Sequence, residues 1–174
     1  MRRSAPLLAS ATLAALLTSC SGSTPAPPTP DRVPTGHGPM DPTWYQAVGG
    51  YFFHTADRGL SCGILDEAVG QSRHSAGCQG STPPPPEMQA CWNSAPDAAA
   101  MAVGESASYL CVNQGLFVGP PEDGGGQSGG QVLPAGASLT VHGFTCQTEQ
   151  MGVSCRNDVS GHGFTMTPGT NRLF

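Results

Sequence analysis

Seven cysteines in a chain of 174 residues, with 24 glycines, 17 prolines and only 11% charged residues, set the terms on which this sequence can fold. The first, Cys20, stands apart. It closes the stretch Leu17-Thr18-Ser19-Cys20, behind an apolar run from Leu7 to Leu17 and the basic start Met1-Arg2-Arg3. That run is too short to cross about 30 Å of hydrocarbon, and small residues precede the cysteine, as export and cleavage require. Residues 1–19 therefore read as a lipoprotein signal peptide, with Cys20 as the first mature residue and its thiol acylated. The expected location is extracytoplasmic, anchored to the cell membrane by acyl chains on Cys20. The pair Arg2-Arg3 also suits the twin-arginine route, but its context, Ser4-Ala5-Pro6, favours the general secretory one.

Six cysteines remain, and an even number in an exported chain points to disulfides. Neighbours closing local loops make the least costly arrangement, which gives Cys62 with Cys78, Cys91 with Cys111, and Cys146 with Cys155. A loop near 15 residues gains about 3 kcal/mol from such a closure, so three bridges rival the net stability of a small domain. No C-x-x-C or close Cys/His cluster is present, so neither a metal nor another cofactor is expected.

Gly and Pro together make 41 of the 174 residues, which favours turns and short strands over long helices. Without Arg2 and Arg3 the mature chain has five arginines, no lysine and twelve acids, a net charge of −7. Such a surface does not attract nucleic acid or anionic lipid. Residues 20–43 read as a lipid-anchored, disordered, Pro-rich tether that extends by about 3 Å per residue where it is in the polyproline form; His37 lies in it as a solvated bystander. Residues 44–174 then form one disulfide-stapled domain. The fold class expected is all-β: a small, mostly antiparallel sheet or sandwich, monomeric.

Where tether meets domain a short helical turn is expected from Pro42 to Val48. Strands follow at Tyr51–His54, Leu60–Leu65, Ala99–Val103, Ser108–Val112, Ser138–Val141, Phe144–Thr148, Val153–Arg156 and Gly163–Thr167. Two segments, Gln79–Met88 with four consecutive prolines and Gly119–Gly136 with its run of glycines, read as loops, the second unordered without a partner. In the last hairpins, Phe144, Cys146 and Thr148 alternate with polar neighbours, as do Val153 and Cys155. Matching those faces pairs Thr148 with Val153 and Cys146 with Cys155, a non-hydrogen-bonded pair with Cα atoms about 4.5 Å apart, within disulfide range. A bulge at Gly152 would instead shift the partners by one.

Motifs for chemistry are sparse. Gly59-Leu60-Ser61-Cys62-Gly63 fits the G-x-S-x-G elbow of serine hydrolases, with Asp158 and His162 following in the order that class uses. The same pattern recurs in Gly126-Gln127-Ser128-Gly129-Gly130, as glycine-rich sequence generates it freely, and the elbow requires a strand before it and a helix after it. His54, His74, His142 and His162 show no spacing that places two on one face, and read as half-exposed strand or turn residues. Asp66-Glu67 and Glu122-Asp123 sit at predicted turns, where solvation accounts for them. Trp44, Tyr45, Tyr51, Phe52 and Phe53, and Trp92 beside Cys91, read as core filling, with a sugar-stacking or protein-binding patch as the functional alternative. Gly161-His162-Gly163 reads as a tight lead into the last strand, with Phe164 and Met166 on one face and Thr165 and Thr167 on the other.

The segments Gly152-Val153-Ser154-Cys155-Arg156-Asn157, Gly161-His162-Gly163-Phe164-Thr165-Met166 and Arg172-Leu173-Phe174 resemble a family of exported domains from high-GC Gram-positive bacteria that has no assigned function. The resemblance covers about Tyr51 to Phe174 and is strongest at Gly-His-Gly-Phe. Members commonly read Pro-Ser-Gly-Asn where this chain has Thr55-Ala56-Asp57-Arg58-Gly59. It implies a small disulfide-linked β domain, often on a lipid anchor, and no substrate. Residues and resemblance together lead to an envelope lipoprotein with no assignable catalytic activity, which binds an envelope protein or glycan. The alternative is an envelope hydrolase using Ser61 with Asp158 and His162.

Overall fold

Alternation of apolar and polar residues with period two organises the chain, because each strand presents one face to a neighbouring layer and the other away from it. The computed structural model describes residues 36–67, 74–80, 99–112, 115–121 and 129–174. The signal peptide, Cys20, most of the tether, Cys91, Trp92, Glu122, Asp123 and Gly126 to Ser128 lie outside the described residues. In chain order the elements are β1 (Gly38–Pro39), a 3₁₀ turn (Pro42–Trp44), β2 (Gln46–Ala47), β3 (Gly50–His54), β4 (Leu60–Leu65), β5 (Ser75–Gly80) and β6 (Ala99–Val103). Then come β7 (Ala107–Cys111), β8 (Gln131–Val132), β9 (Ala137–Val141), β10 (Phe144–Glu149), β11 (Gly152–Asn157), β12 (Gly163–Met166) and β13 (Asn171–Leu173).

These strands make an all-β, two-sheet sandwich. One sheet runs β1-β9-β10-β11-β12-β13 and the other β2-β3-β4-β5-β6-β7, with β8 added alongside β3. Pairing is antiparallel throughout except at two short parallel ladders, β1 with β9 and β3 with β8. The core lies between the sheets. Phe53, Cys62, Ile64, Cys78, Met101 and Val103 from the second sheet meet Leu139, Cys146, Val153, Cys155, Phe164 and Met166 from the first. Each Phe, Ile, Leu, Met or Val among them contributes about 1.5–3 kcal/mol through the apolar surface it removes from water.

Two expected disulfides are present, each a directly opposed cross-strand pair in this core. Cys62–Cys78 joins β4 to β5, with Cα atoms 4.1 Å apart, and Cys146–Cys155 joins β10 to β11, with Cα atoms 4.0 Å apart. The β10–β11 register is the one the faces dictate: Thr148 opposes Val153, and Glu149 opposes Gly152 across a two-residue turn, without a bulge. Cys91, the partner expected for Cys111, lies outside the described residues.

Several expectations are corrected. The folded part begins before residue 44: Gly38 N–H donates to the Gly136 carbonyl and Met40 N–H to that of Ser138, which builds β1 from residues read as tether. An edge strand tolerates Pro39, which has no N–H to contribute. The helical turn stops at Tyr45, whose N–H closes on the Pro42 carbonyl, and Gln46–Ala47 already pair with Gly50–Tyr51. Strand β5 was not expected, because Ser75-Ala76-Gly77-Cys78-Gln79-Gly80 holds no β-branched residue; β4 and β6 pair with it on both sides. Two ends of the expected Gly119–Gly136 loop are structured. Gly119 bridges Gly129, Gln131–Val132 pair in parallel with β3, and Leu133 is fully buried.

Candidate functional site

Both faces of the second sheet are covered. On its outer face the register sets Phe52, Gly63, Gly77, Ala102 and Ser108 in one row across five strands. Small residues in the middle make a trough, and aromatic rings fill it. A Cβ on Gly63 would come within 2.9 Å of the Phe52 ring, and one on Gly77 would overlap the Phe117 ring. Phe117 arrives on the 115–121 segment, which Gln79 fixes by accepting the Leu116 and Phe117 N–H groups at 2.8 and 2.9 Å. Phe52, Leu65, Ala100, Ala102 and Phe117 form a second apolar cluster there.

The first sheet, by contrast, has an outer face that none of the described residues covers. The register lays out one row of Thr140, Thr145, Arg156 and Gly163, and a second of Ser138, Gln147, Ser154, Thr165 and Arg172. Phe174 continues the first row, since it and Gly163 exchange backbone hydrogen bonds at 2.9 Å in both directions. Its ring lies over Gly163, where a Cβ would approach it to 2.6 Å, and remains 43% exposed. The Arg172 guanidinium sits 5.7 Å from the ring centroid, within cation–π range.

The hydroxyls of this face are held in place by one another. The Thr140 and Thr145 hydroxyls lie 2.9 Å apart, Thr145 donates to Asp158 at 2.8 Å, and Thr165 donates to the Ser154 hydroxyl at 3.4 Å. Arg156 Nε pairs with Asp158 at 3.0 Å, whereas no salt bridge engages Arg172 among the described residues. The result is a flat array of oriented donors and acceptors around one exposed ring.

A second feature lies at one end of the sandwich, between the β3–β4 and β10–β11 turns. Thr55, Asp57, Leu133, Thr148, Glu149 and Met151 are among the residues lining a shallow cleft of about 120 Å³. Asp57 is committed to the β3–β4 turn: its Oδ1 accepts from the Thr55 hydroxyl at 2.6 Å and from Gly59 N–H at 3.0 Å. Those bonds hold its carboxyl below the usual carboxylate range.

The residues of the expected hydrolase triad are dispersed. Ser61 lies mid-strand in β4, buried, with the parity that faces away from the first sheet. Asp158 follows β11 and is engaged by Thr145 and Arg156, while His162 is exposed in the turn before β12. Register places His54, not His162, opposite Ser61. Contrary to expectation His54 is buried, and its Nδ1 donates to the Thr55 carbonyl at 2.9 Å. Tyr45, Phe52 and Phe53 fill the core as expected, but Trp44 is 46% exposed. Asp66 and Glu67 are exposed, Asp66 lying 3.1 Å from His142 Nε2.

What the sequence did not signal is that His142 and His74, 68 positions apart, come together with parallel rings. No group of three or more His, Cys, Asp or Glu arranged to hold a metal is found among the described residues. Nor is any helix among them long and apolar enough to cross a membrane. No known protein family, curated protein or solved structure matches the chain.

Proposed function

We propose that this chain is a cell-envelope lipoprotein whose β domain is a binding module. In this reading residues 1–19 direct export, Cys20 carries the acyl chains, and the Pro-rich tether holds the domain off the membrane at its outer face. Cys91 and Cys111 supply the third bridge. The family of small exported domains that the C-terminal segments resemble fits the same picture. The domain acts as a monomer, and its net charge of −7 keeps nucleic acid from being its partner.

One observation carries the reading: among the described residues one sheet face is left uncovered, and it is the one lined with Ser, Thr, Gln and Arg around an exposed Phe174. Hydroxyls and amides in register match the alternating donors and acceptors of a glycan, and an aromatic ring offers its face to the C–H side of a sugar. An envelope glycan is therefore the ligand we favour over a protein. Binding of the purified protein to insoluble wall material is the direct test, with Arg172→Ala and Phe174→Ala as variants. The two changes together are expected to weaken retention at least about tenfold, roughly 1.4 kcal/mol, while Arg58→Ala leaves it unchanged. Retention of the Arg172→Ala/Phe174→Ala protein equal to that of the wild type removes this face as the site. For the anchor, metabolic labelling with a fatty-acid analogue should mark the protein and leave Cys20→Ala unmarked.

A further inference from the structure

Cations are scarce in this chain, which sets seven arginines and no lysine against twelve acids. Arg58, Arg156 and Arg172 are the arginines among the described residues. Arg58 belongs to the β3–β4 turn, whereas register puts Arg156 and Arg172 on the outer face of the first sheet, beside Phe174. Gly163 makes that grouping. It opposes Arg156 on one side and Phe174 on the other, and because it has no side chain the Phe174 ring can lie above β12. Arg172, two residues before Phe174 and exposed on the same face, holds its guanidinium 5.7 Å from the ring centroid. Arg156, on the strand the ring leans toward, gives its Nε to Asp158 at 3.0 Å and keeps 60% of its side chain exposed.

From this arrangement we infer that the glycan taken by this face is an acidic one: the sugar that stacks on Phe174 carries a carboxylate or phosphate, which the Arg172 guanidinium receives. The inference rests on the reading of this face as a glycan site and adds the charge of the ligand. A guanidinium presents its donors in a planar fork that matches two oxygens of a carboxylate or phosphate at once. Set to the side of the ring, it meets an acid group that projects from the rim of a stacked sugar. Hydroxyls of the sugar itself find Thr165 and Ser154, which follow Arg172 in its row.

The acids of the face do not cancel this site. Asp158 is engaged by Arg156 and Thr145, and Glu149 stands at the far end of β10, three strands from Arg172. Nor does the negative charge of the whole chain decide the matter. At physiological salt, charges more than about 8 Å away are largely screened, so a bound acid group responds to the arginines beside it. The same balance favours a glycan with isolated acid groups over a dense polyanion such as nucleic acid.

Binding of the full-length protein, in mild detergent, to two matched pairs of immobilised polymers tests this. One pair is hyaluronan, with a carboxylate on every second sugar, and its methyl ester; the other is phosphomannan and the same mannan stripped of phosphate. The acidic member of at least one pair should bind at least about tenfold more tightly than its neutral partner, and the pair that responds separates carboxylate from phosphate. Arg172→Gln should cut that preference to about twofold or less, while Arg172→Lys keeps part of it, having the charge without the fork. Arg58→Gln removes the same charge away from the face and should leave the preference intact. A wild type that holds acidic and neutral members of both pairs alike overturns the inference and leaves the face a glycan site, a comparison that needs no variant. A preference that survives Arg172→Gln overturns it as well. Absence of binding to all four polymers also overturns it, and retention on wall material then shows whether the glycan reading falls too.

Discussion

Phe117 occupies the space that a side chain on Gly77 would need. The two come from distant parts of the chain, β5 and the 115–121 segment, and only the register of β4, β5 and β6 makes the trough that receives the ring. Gly77→Ala should therefore act as overpacking, at a cost of about 1–3 kcal/mol. Phe117→Ala should cost about 3–5 kcal/mol through the lost buried ring. Since both changes act on one contact, the double variant should be much less destabilised than the two costs added, which urea unfolding of all four proteins measures. Gln79→Ala should release the same segment by leaving the Leu116 and Phe117 N–H groups without an acceptor, and show as faster proteolysis within 115–121.

The two disulfides differ in the length of chain they close: 16 residues for Cys62–Cys78 and 9 for Cys146–Cys155. Loop-closure entropy grows with the logarithm of loop length, so their contributions should be close, about 3 kcal/mol for the first and slightly less for the second. Both pairs are fully buried, and Ala replacements leave small cavities that add to each cost. Denaturant unfolding of Cys62→Ala/Cys78→Ala and Cys146→Ala/Cys155→Ala, without reductant, should rank them in that order. A large loss at the shorter loop alone would mean that packing rather than chain entropy dominates.

How much of this was legible depended on where the information resides. The β10–β11 hairpin was readable because Phe144, Cys146, Thr148, Val153 and Cys155 alternate strictly, and a one-residue slip of either strand would turn its own core residues outward. Strand β5 was not, since its Gly77 and Gly80 look like loop residues until Phe117 and the neighbouring strands supply the contacts that glycine lacks. The same holds for β8, whose two residues are strand only because β3 lies beside them. The open face was hidden for a related reason. Gly163 and Phe174 become a flat aromatic platform only when β12 and the C-terminus pair, and local pattern carries no trace of that. His142 and His74 likewise meet through the packing of two sheets rather than through any spacing in the chain.

Asp57 gives an acid-side prediction. Its carboxyl lies below the ordinary value of 3.8 because the Thr55 hydroxyl and Gly59 N–H donate to it. A depressed carboxylate contributes stability that is present above its unfolded pKa and lost as pH falls through its folded one. The group is exposed, so water screens it and the contribution is below about 1 kcal/mol. Asp57→Asn should thus be slightly less stable than wild type at neutral pH, and the gap should close below about pH 3.8. A gap that persists unchanged at lower pH would show that the turn depends on shape rather than on charge.

Tyr45 gives the alkaline counterpart, and the larger effect. It is 2% exposed, packs in the core between the sheets, and donates its hydroxyl to the Val132 carbonyl at 3.2 Å. Burial pushes its pKa from 10.0 to about 12, since a phenolate there would lose its hydration. Between about pH 10 and about pH 12 the unfolded chain gives up this proton while the folded protein keeps it. Stability is therefore complete below the unfolded value and declines as pH rises through that window, by roughly 2–3 kcal/mol in all. Tyr45→Phe should lose about 1 kcal/mol at neutral pH with the hydrogen bond to Val132, yet show a flatter decline across the alkaline window. Tyrosinate absorbance followed against circular dichroism separates the two events. In the wild type one tyrosine should ionise only together with unfolding, and a third tyrosine ionising while the fold persists would place Tyr45 in contact with water.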